Sequence, residues 1–143
     1  MPGQINGEIT GIAFITAEIV SGVRAVGVNQ SGAWQVAMSS VSGRMPAAAI
    51  AVGNALSGQT VQTIQIGGFQ FGSGMCDFSG YIGRRVWVGR SGQIVQWSGS
   101  WNSGGFGSGD NWQPIGVVCN SGAVWFNTQP FLTSGGTGDF FIV

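Results

Sequence analysis

The nine residues Arg24-Ala25-Val26-Gly27-Val28-Asn29-Gln30-Ser31-Gly32 return sixty positions later as Arg84-Arg85-Val86-Trp87-Val88-Gly89-Arg90-Ser91-Gly92. The arginine, both valines and the Ser-Gly pair coincide without a gap. In each copy a β-branched run meets a Gly/Ser-containing connection, and a second apolar run follows, Ala33–Met38 in one and Ile94-Val95 in the other. That is the pattern of a β-hairpin. Side chains alternate along a strand, so Val86 and Val88 share one face while Arg85 and Trp87 share the other. Both faces carry apolar weight, which predicts one face in a core and the other, through Trp87, against a second surface. The twin has Gly27 where the second copy has Trp87. The valine face therefore reads as core common to both copies, and Trp87 as an addition that points toward a partner.

The similarity continues beyond the hairpins. Pro46-Ala47-Ala48-Ala49-Ile50 with Ser57-Gly58 corresponds to Pro114-Ile115-Gly116-Val117-Val118 with Ser121-Gly122. The alanines of the first stretch admit a short helical turn. Gly53 and Ser57-Gly58 stop the run before the average helix length of about 11 residues, which favours a strand with proline at its entry. Gln59–Ile66 alternates as a strand does, and Phe69 and Phe71 continue one face beyond a Gly67-Gly68 break. The expected fold is all-β: a β-sandwich or barrel of about eight short antiparallel strands from two repeated hairpin units, with extended terminal arms. One domain spans 1–143, with an N-terminal arm at 1–10, a first unit at 11–72 and a second at 73–131. Ile9–Ile15 reads as a first strand, and 132–143 as a Gly-rich link with an apolar tail.

Charge is scarce. The only ionic side chains are Arg24, Arg44, Arg84, Arg85, Arg90 and Glu8, Glu18, Asp77, Asp110, Asp139, 7 % of the chain against roughly 25 % in ordinary domains. A freely soluble monomer keeps itself apart with charge. A nearly uncharged chain rich in Gly, Val and Trp reads instead as a subunit whose surface is covered by copies or partners; a neutral secreted domain is the plainer alternative. Zero net charge and no lysine argue against nucleic acid. Arg84, Arg85 and Arg90 form the only basic cluster, suited to hydrogen bonds between subunits. The N-terminus MPGQINGEIT lacks a basic region before an apolar stretch, so no secretory signal is expected. The longest apolar run, Ala47–Val52, is too short to span a bilayer.

Chemistry has little to work with. Without His or Lys the usual general base, the Ser–His or Cys–His pair and amine nucleophiles are missing. The five acids are scattered, Cys76 and Cys119 offer no zinc-ligand spacing, and Gly104–Gly109 lacks the lysine and the strand–loop–helix setting of a phosphate loop. No catalytic residue, metal or cofactor is expected. The two cysteines read as one disulfide or as buried free thiols. One segment differs between the units: 21 residues separate Gly92 from Pro114, against 13 between Gly32 and Pro46. The longer loop carries Trp97, Trp101, Phe106 and Trp112. Such a cluster serves either a protein interface or sugar stacking, and the uncharged surface favours the interface. The tail Phe140-Phe141-Ile142-Val143 reads as a segment that needs docking. The expected contacts are thus Trp87, the Trp97–Trp112 loop, the three clustered arginines, the N-terminal arm and the tail.

The pattern SGVRAVGV-NQSG-AWQVA, then GRMPAAAIAVGNALSGQTVQTIQIGGF, GRRVWVGRSGQIVQW and WQPIGVVCNSGAVWF resembles small β-rich virion proteins of tailed bacteriophages. These include capsid decoration (cement) proteins and short head or tail fibre domains. The resemblance covers roughly residues 20–127, in style rather than through a diagnostic motif. It implies an oligomer, with a trimer foremost, on the outer surface of a capsid. The implied partners are its own copies and the major capsid protein, with no active site. A fibre or receptor-binding module using Trp97, Trp101 and Trp112 on a host glycan is the alternative expectation.

Overall fold

The computed structural model describes residues 3–10, 14–72, 77–96, 111–128 and 133–134. Among these residues there is no α-helix. The strands are β1 (Gly3–Thr10), β2 (Val23–Val28), β3 (Trp34–Val36), β4 (Ala49–Val52), β5 (Thr63–Phe71), β6 (Arg85–Val88), β7 (Ile94–Gln96), β8 (Asn111–Trp112), β9 (Pro114–Asn120), β10 (Ala123–Asn127) and β11 (Thr133–Ser134). Eight antiparallel strands form one curled half-barrel sheet in the order β3-β2-β4-β5-β10-β9-β6-β7, and β1 adds to β5. The chain is all-β, as its hairpin signals require.

The path reads the same from either end: hairpin, antiparallel neighbour, closing strand, with β5 and β10 paired at the middle. The hairpins even share their register. Val26, Gly27 and Val28 face Val36, Gln35 and Trp34; sixty residues on, Val86, Trp87 and Val88 face Gln96, Val95 and Ile94. Each turn ends on a glycine in the left-handed region, Gly32 at φ 81° and Gly92 at φ 78°, where a Cβ is disfavoured. A side-chain amide oxygen braces each turn. Asn29 Oδ1 accepts from the Ser31 and Ala33 N–H groups, and Gln93 Oε1 accepts from Ser91 N–H. The Pro-led stretches align one residue away from the expected match: Val26 faces Ala49 while Val86 faces Gly116, so Ala49 corresponds to Gly116 rather than Val117.

A larger correction concerns the faces. Val86 and Val88 enter the main core, with Ile115, Val118, Val124, Phe126, Phe69 and Ile64. In the first hairpin Ala25 faces that core, whereas Val26 turns the other way, into a second core with Trp34, Val36, Ala49 and Ala51; Val28 is exposed. The valine face is therefore not common core. Segments 14–20 and 55–61 cover the second core, through the Phe14–Trp34 ring contact at 4.9 Å and paired backbone at Thr16–Gln59 and Val20–Ala55.

The N-terminal segment is not an arm reaching for a neighbour. Gly3–Thr10 pairs with Phe71–Ile64 of its own chain. Of the expected strand at Ile9–Ile15, Ile9 and Thr10 belong to β1 and Ile15 makes an isolated bridge to Thr60, while residues 11–13 lie outside the described residues. Gly67-Gly68 is no break either, because β5 runs through it, paired to Phe126 and Trp125. Leu132–Gly138, expected as a link, contains Thr133–Ser134, which pairs with Trp112 and Asn111.

The two ends of the sheet meet at a seam. Ala25 N–H donates to Gly92 O at 2.8 Å and Ser39 N–H to Gly89 O at 3.1 Å, so the second hairpin's turn lies against β2 and the residues after β3. Nearby, the wholly buried Gln113 accepts from Ala47 N–H at 2.7 Å through Oε1 and donates to Ala47 O at 2.8 Å through Nε2. The side chain thus imitates a strand residue and ties the two halves together.

Candidate interaction surface

The free edge of β3 shows how this chain closes a surface that would otherwise pair with another strand. Trp34 N–H donates to Ile15 O and its carbonyl accepts from Ala17 N–H. At Val36 two side chains do the same work. Glu18 Oε2 accepts from Val36 N–H at 2.7 Å, and Arg44 donates both to Glu18 and to Val36 O. Burial alone would raise the Glu18 carboxyl. The Arg44 hydrogen bond, the Val36 N–H and the Arg44 charge outweigh burial and hold it below the usual carboxylate range. Asp77 is lowered too, by hydrogen bonds from Ser79. Both acids are thus engaged in local structure, and no group of three or more His, Cys, Asp or Glu occurs among the described residues.

The expected contacts fare unevenly. Trp87 is 7 % exposed within the single chain, so it is an internal packing residue and not an outward contact. Its face is indeed covered, as the two-sided apolar pattern requires, but the cover is internal. Arg84, Arg85 and Arg90 are exposed, and Arg85 and Arg90 each already engage a partner within the chain. Cys119 is a free thiol and is exposed rather than buried. Trp112 lies in β8. Trp97, Trp101, Phe106, Cys76, Phe140, Phe141, Ile142 and Val143 lie outside the described residues, so the Trp-rich loop and the tail have no geometry to compare.

Two apolar patches that the sequence reading missed lie on opposite halves. On the second half, Trp125 and Val117 are direct cross-strand partners, 43 % and 41 % exposed. Arg85 faces Val117 on β6, and Gly68 faces Trp125 on β5, so the four form one row across the outer face. Alternation carried a signal for this: Val124 and Phe126 point inward, which leaves Trp125 pointing out. On the first half, Ile15, Ile19 and Leu56 stand on the segments that cover the second core, 51 %, 63 % and 59 % exposed. Ile19 and Leu56 flank a groove of about 380 Å³ between residues 19–21 and 54–56, with Gln59 at its side and no charged lining residue. No periodicity marks Ile19 or Leu56, because they lie outside regular strands. Among the described residues no helix is long and apolar enough to cross a membrane. No protein-family model matches this chain, and no curated protein matches its sequence.

Proposed function

We propose that this chain is a non-enzymatic structural subunit of a tailed-phage virion. It is a decoration or cement protein that stabilises the head by binding at capsomer junctions on the outer capsid surface. Its partners are its own copies, a trimer foremost, and the major capsid protein. The observation that carries this reading is the combination of 7 % charge with large exposed apolar side chains at Ile15, Ile19, Leu56, Val117 and Trp125. Surfaces of that composition are stable when buried against protein. The absence of His and Lys from the sequence supports a role without catalysis.

Two measurements on the purified chain test the reading: molar mass by light scattering, and co-sedimentation with undecorated capsids of the encoding phage. An oligomer is expected, with capsid attachment that changes little with salt because few charges are available to screen. A stable monomer without affinity for capsids overturns the reading. A glycan-array response instead supports the receptor-binding module through Trp97, Trp101 and Trp112.

A further inference from the structure

We infer that the two apolar patches are the two halves of one contact between copies of this chain, with Trp125 of one copy seated in the Ile19–Leu56 groove of the next. The inference rests on the reading of the chain as an assembling subunit and names the surface that assembles it. One patch is a knob: an indole standing out from a sheet face, with Val117 beside it and Gly68 on its other flank. The other is a recess of about 380 Å³, at the small end of the roughly 300–1,000 Å³ of clefts that take up small molecules. The groove lining carries no charge, and on the knob's side the one charged member of the row, Arg85, stands beyond Val117, one strand further from Trp125. At the groove the Asn54 and Gln59 amide oxygens already accept from Gly22 N–H and Leu56 N–H, and each keeps a second lone pair of the kind a buried indole N–H takes.

The fold explains why knob and groove do not satisfy each other within one copy. The groove sits on the cover of β2, β3 and β4, and the knob on β10, further along the curled sheet. A contact between two different patches is head-to-tail, and such contacts close into rings or continue as filaments. A ring of copies needs no further surface when the rotation between neighbours closes.

Sedimentation velocity on the full-length chain reads the contact. Trp125→Ala removes the knob, and Leu56→Asp makes the groove hostile to an apolar guest. Each alone is expected to weaken self-association at least about 30-fold, as truncation of a central interface tryptophan does. Mixing the two variants is the decisive step. Each keeps the half that the other lacks, so an equimolar mixture is expected to form a one-to-one complex and stop there, whereas a contact between like patches gives no rescue. The Cys119 thiol, exposed on the same strand as Val117, gives a second readout: its reaction with a thiol reagent should slow in the assembled protein and recover in Trp125→Ala. If Leu56→Asp misfolds by circular dichroism, Ile19→Ser takes its place. Self-association unchanged in both variants, or variants that stay apart when mixed, overturns the inference. So does a pair of variants that assemble as the parent does but lose capsid binding, since the patches then serve the capsid. An intact oligomer without capsid affinity refutes the cement reading and leaves this contact standing.

Discussion

Exchanging Gln113 for leucine keeps most of the side chain's bulk and removes both of its hydrogen bonds to Ala47. The site is fully buried, with Ala47 itself at 0 % exposure, so water cannot replace either bond. Each orphaned backbone group costs about 1–3 kcal/mol, which gives about 2–6 kcal/mol for the N–H and the C=O together. The leucine branch recovers about 1–2 kcal/mol by apolar burial. The two ranges leave a net loss of about 0–5 kcal/mol with a midpoint of about 2.5 kcal/mol, a large part of the roughly 5–15 kcal/mol that holds an ordinary domain. Gln113→Glu tests the polarity of the clamp. Its carboxylate can accept from Ala47 N–H but opposes Ala47 O, and only the protonated acid donates there. The introduced carboxyl's folded pKa is thus raised above its unfolded value of about 4.3. The penalty is then absent from this source below about pH 4.3. It grows as pH rises, by up to about 1.4 kcal/mol per unit, until the folded pKa is passed. Urea unfolding followed by tryptophan fluorescence, with the parent chain measured at each pH, isolates the difference. A Gln113→Leu loss under about 0.5 kcal/mol, or a Gln113→Glu penalty equal at about pH 4 and pH 7, refutes the clamp.

Glu18 carries the opposite sign. Its folded pKa is lowered, so its contribution is present above the unfolded value and is lost as pH falls through the folded one; Glu18→Gln should flatten the acid limb of the stability curve in urea titrations. Gly92→Ala and Gly32→Ala share a left-handed φ, worth about 1–2 kcal/mol. A Cβ at Gly92 also comes within 2.5 Å of Val36 Cγ1, whereas nothing lies within 4 Å at Gly32, so unfolding midpoints should fall clearly further for Gly92→Ala. Trp87→Ala should lower stability by about 3–5 kcal/mol, as loss of a buried tryptophan does, before any effect on assembly; a normal unfolding midpoint with selective loss of assembly would return Trp87 to the surface.

The hairpins were legible because β-branched runs around a Gly-ended turn leave the backbone few other choices, and the all-β class follows from them. Trp87 was misread for a reason that local pattern cannot overcome. Alternation says that its face differs from that of Val86, but not whether the same chain folds back to cover it. The N-terminal segment was misread similarly, since the pairing of Gly3–Thr10 with a strand sixty residues away is a long-range event that no short window records. The Gly67-Gly68 pair looks like a break by composition, yet neighbours on both sides hold it extended. Ile19 and Leu56 were illegible as a site. They belong to no periodic run, and they meet only because Thr16 Oγ1 donates to Leu56 O and the Val20 and Ala55 backbones pair.

The reversal of faces between the two hairpins can be traced to two positions. Counting by the shared register, Ala25 corresponds to Arg85 and Gly27 to Trp87. Ala25 is small and uncharged, so its side of β2 can enter the main core, and Gly27 lets the backbone pass where a Cβ would lie 2.6 Å from Pro46 O. Arg85 cannot enter that core without desolvating its guanidinium, at a cost no partner there would offset. The second hairpin must therefore turn its valines inward, and Trp87 goes outward to be covered separately. Because strand side chains alternate with a period of two, one unfavourable residue reverses the whole strand. One half thus offers one face to the main core and the other half its opposite. The outer surfaces left over are chemically different: Val26, Trp34 and Val36 under a cover that bears Ile19 and Leu56, against Arg85, Val117 and Trp125 standing open. Two unlike surfaces on one chain are what a head-to-tail contact needs, and two hairpins facing the same way would not have produced them.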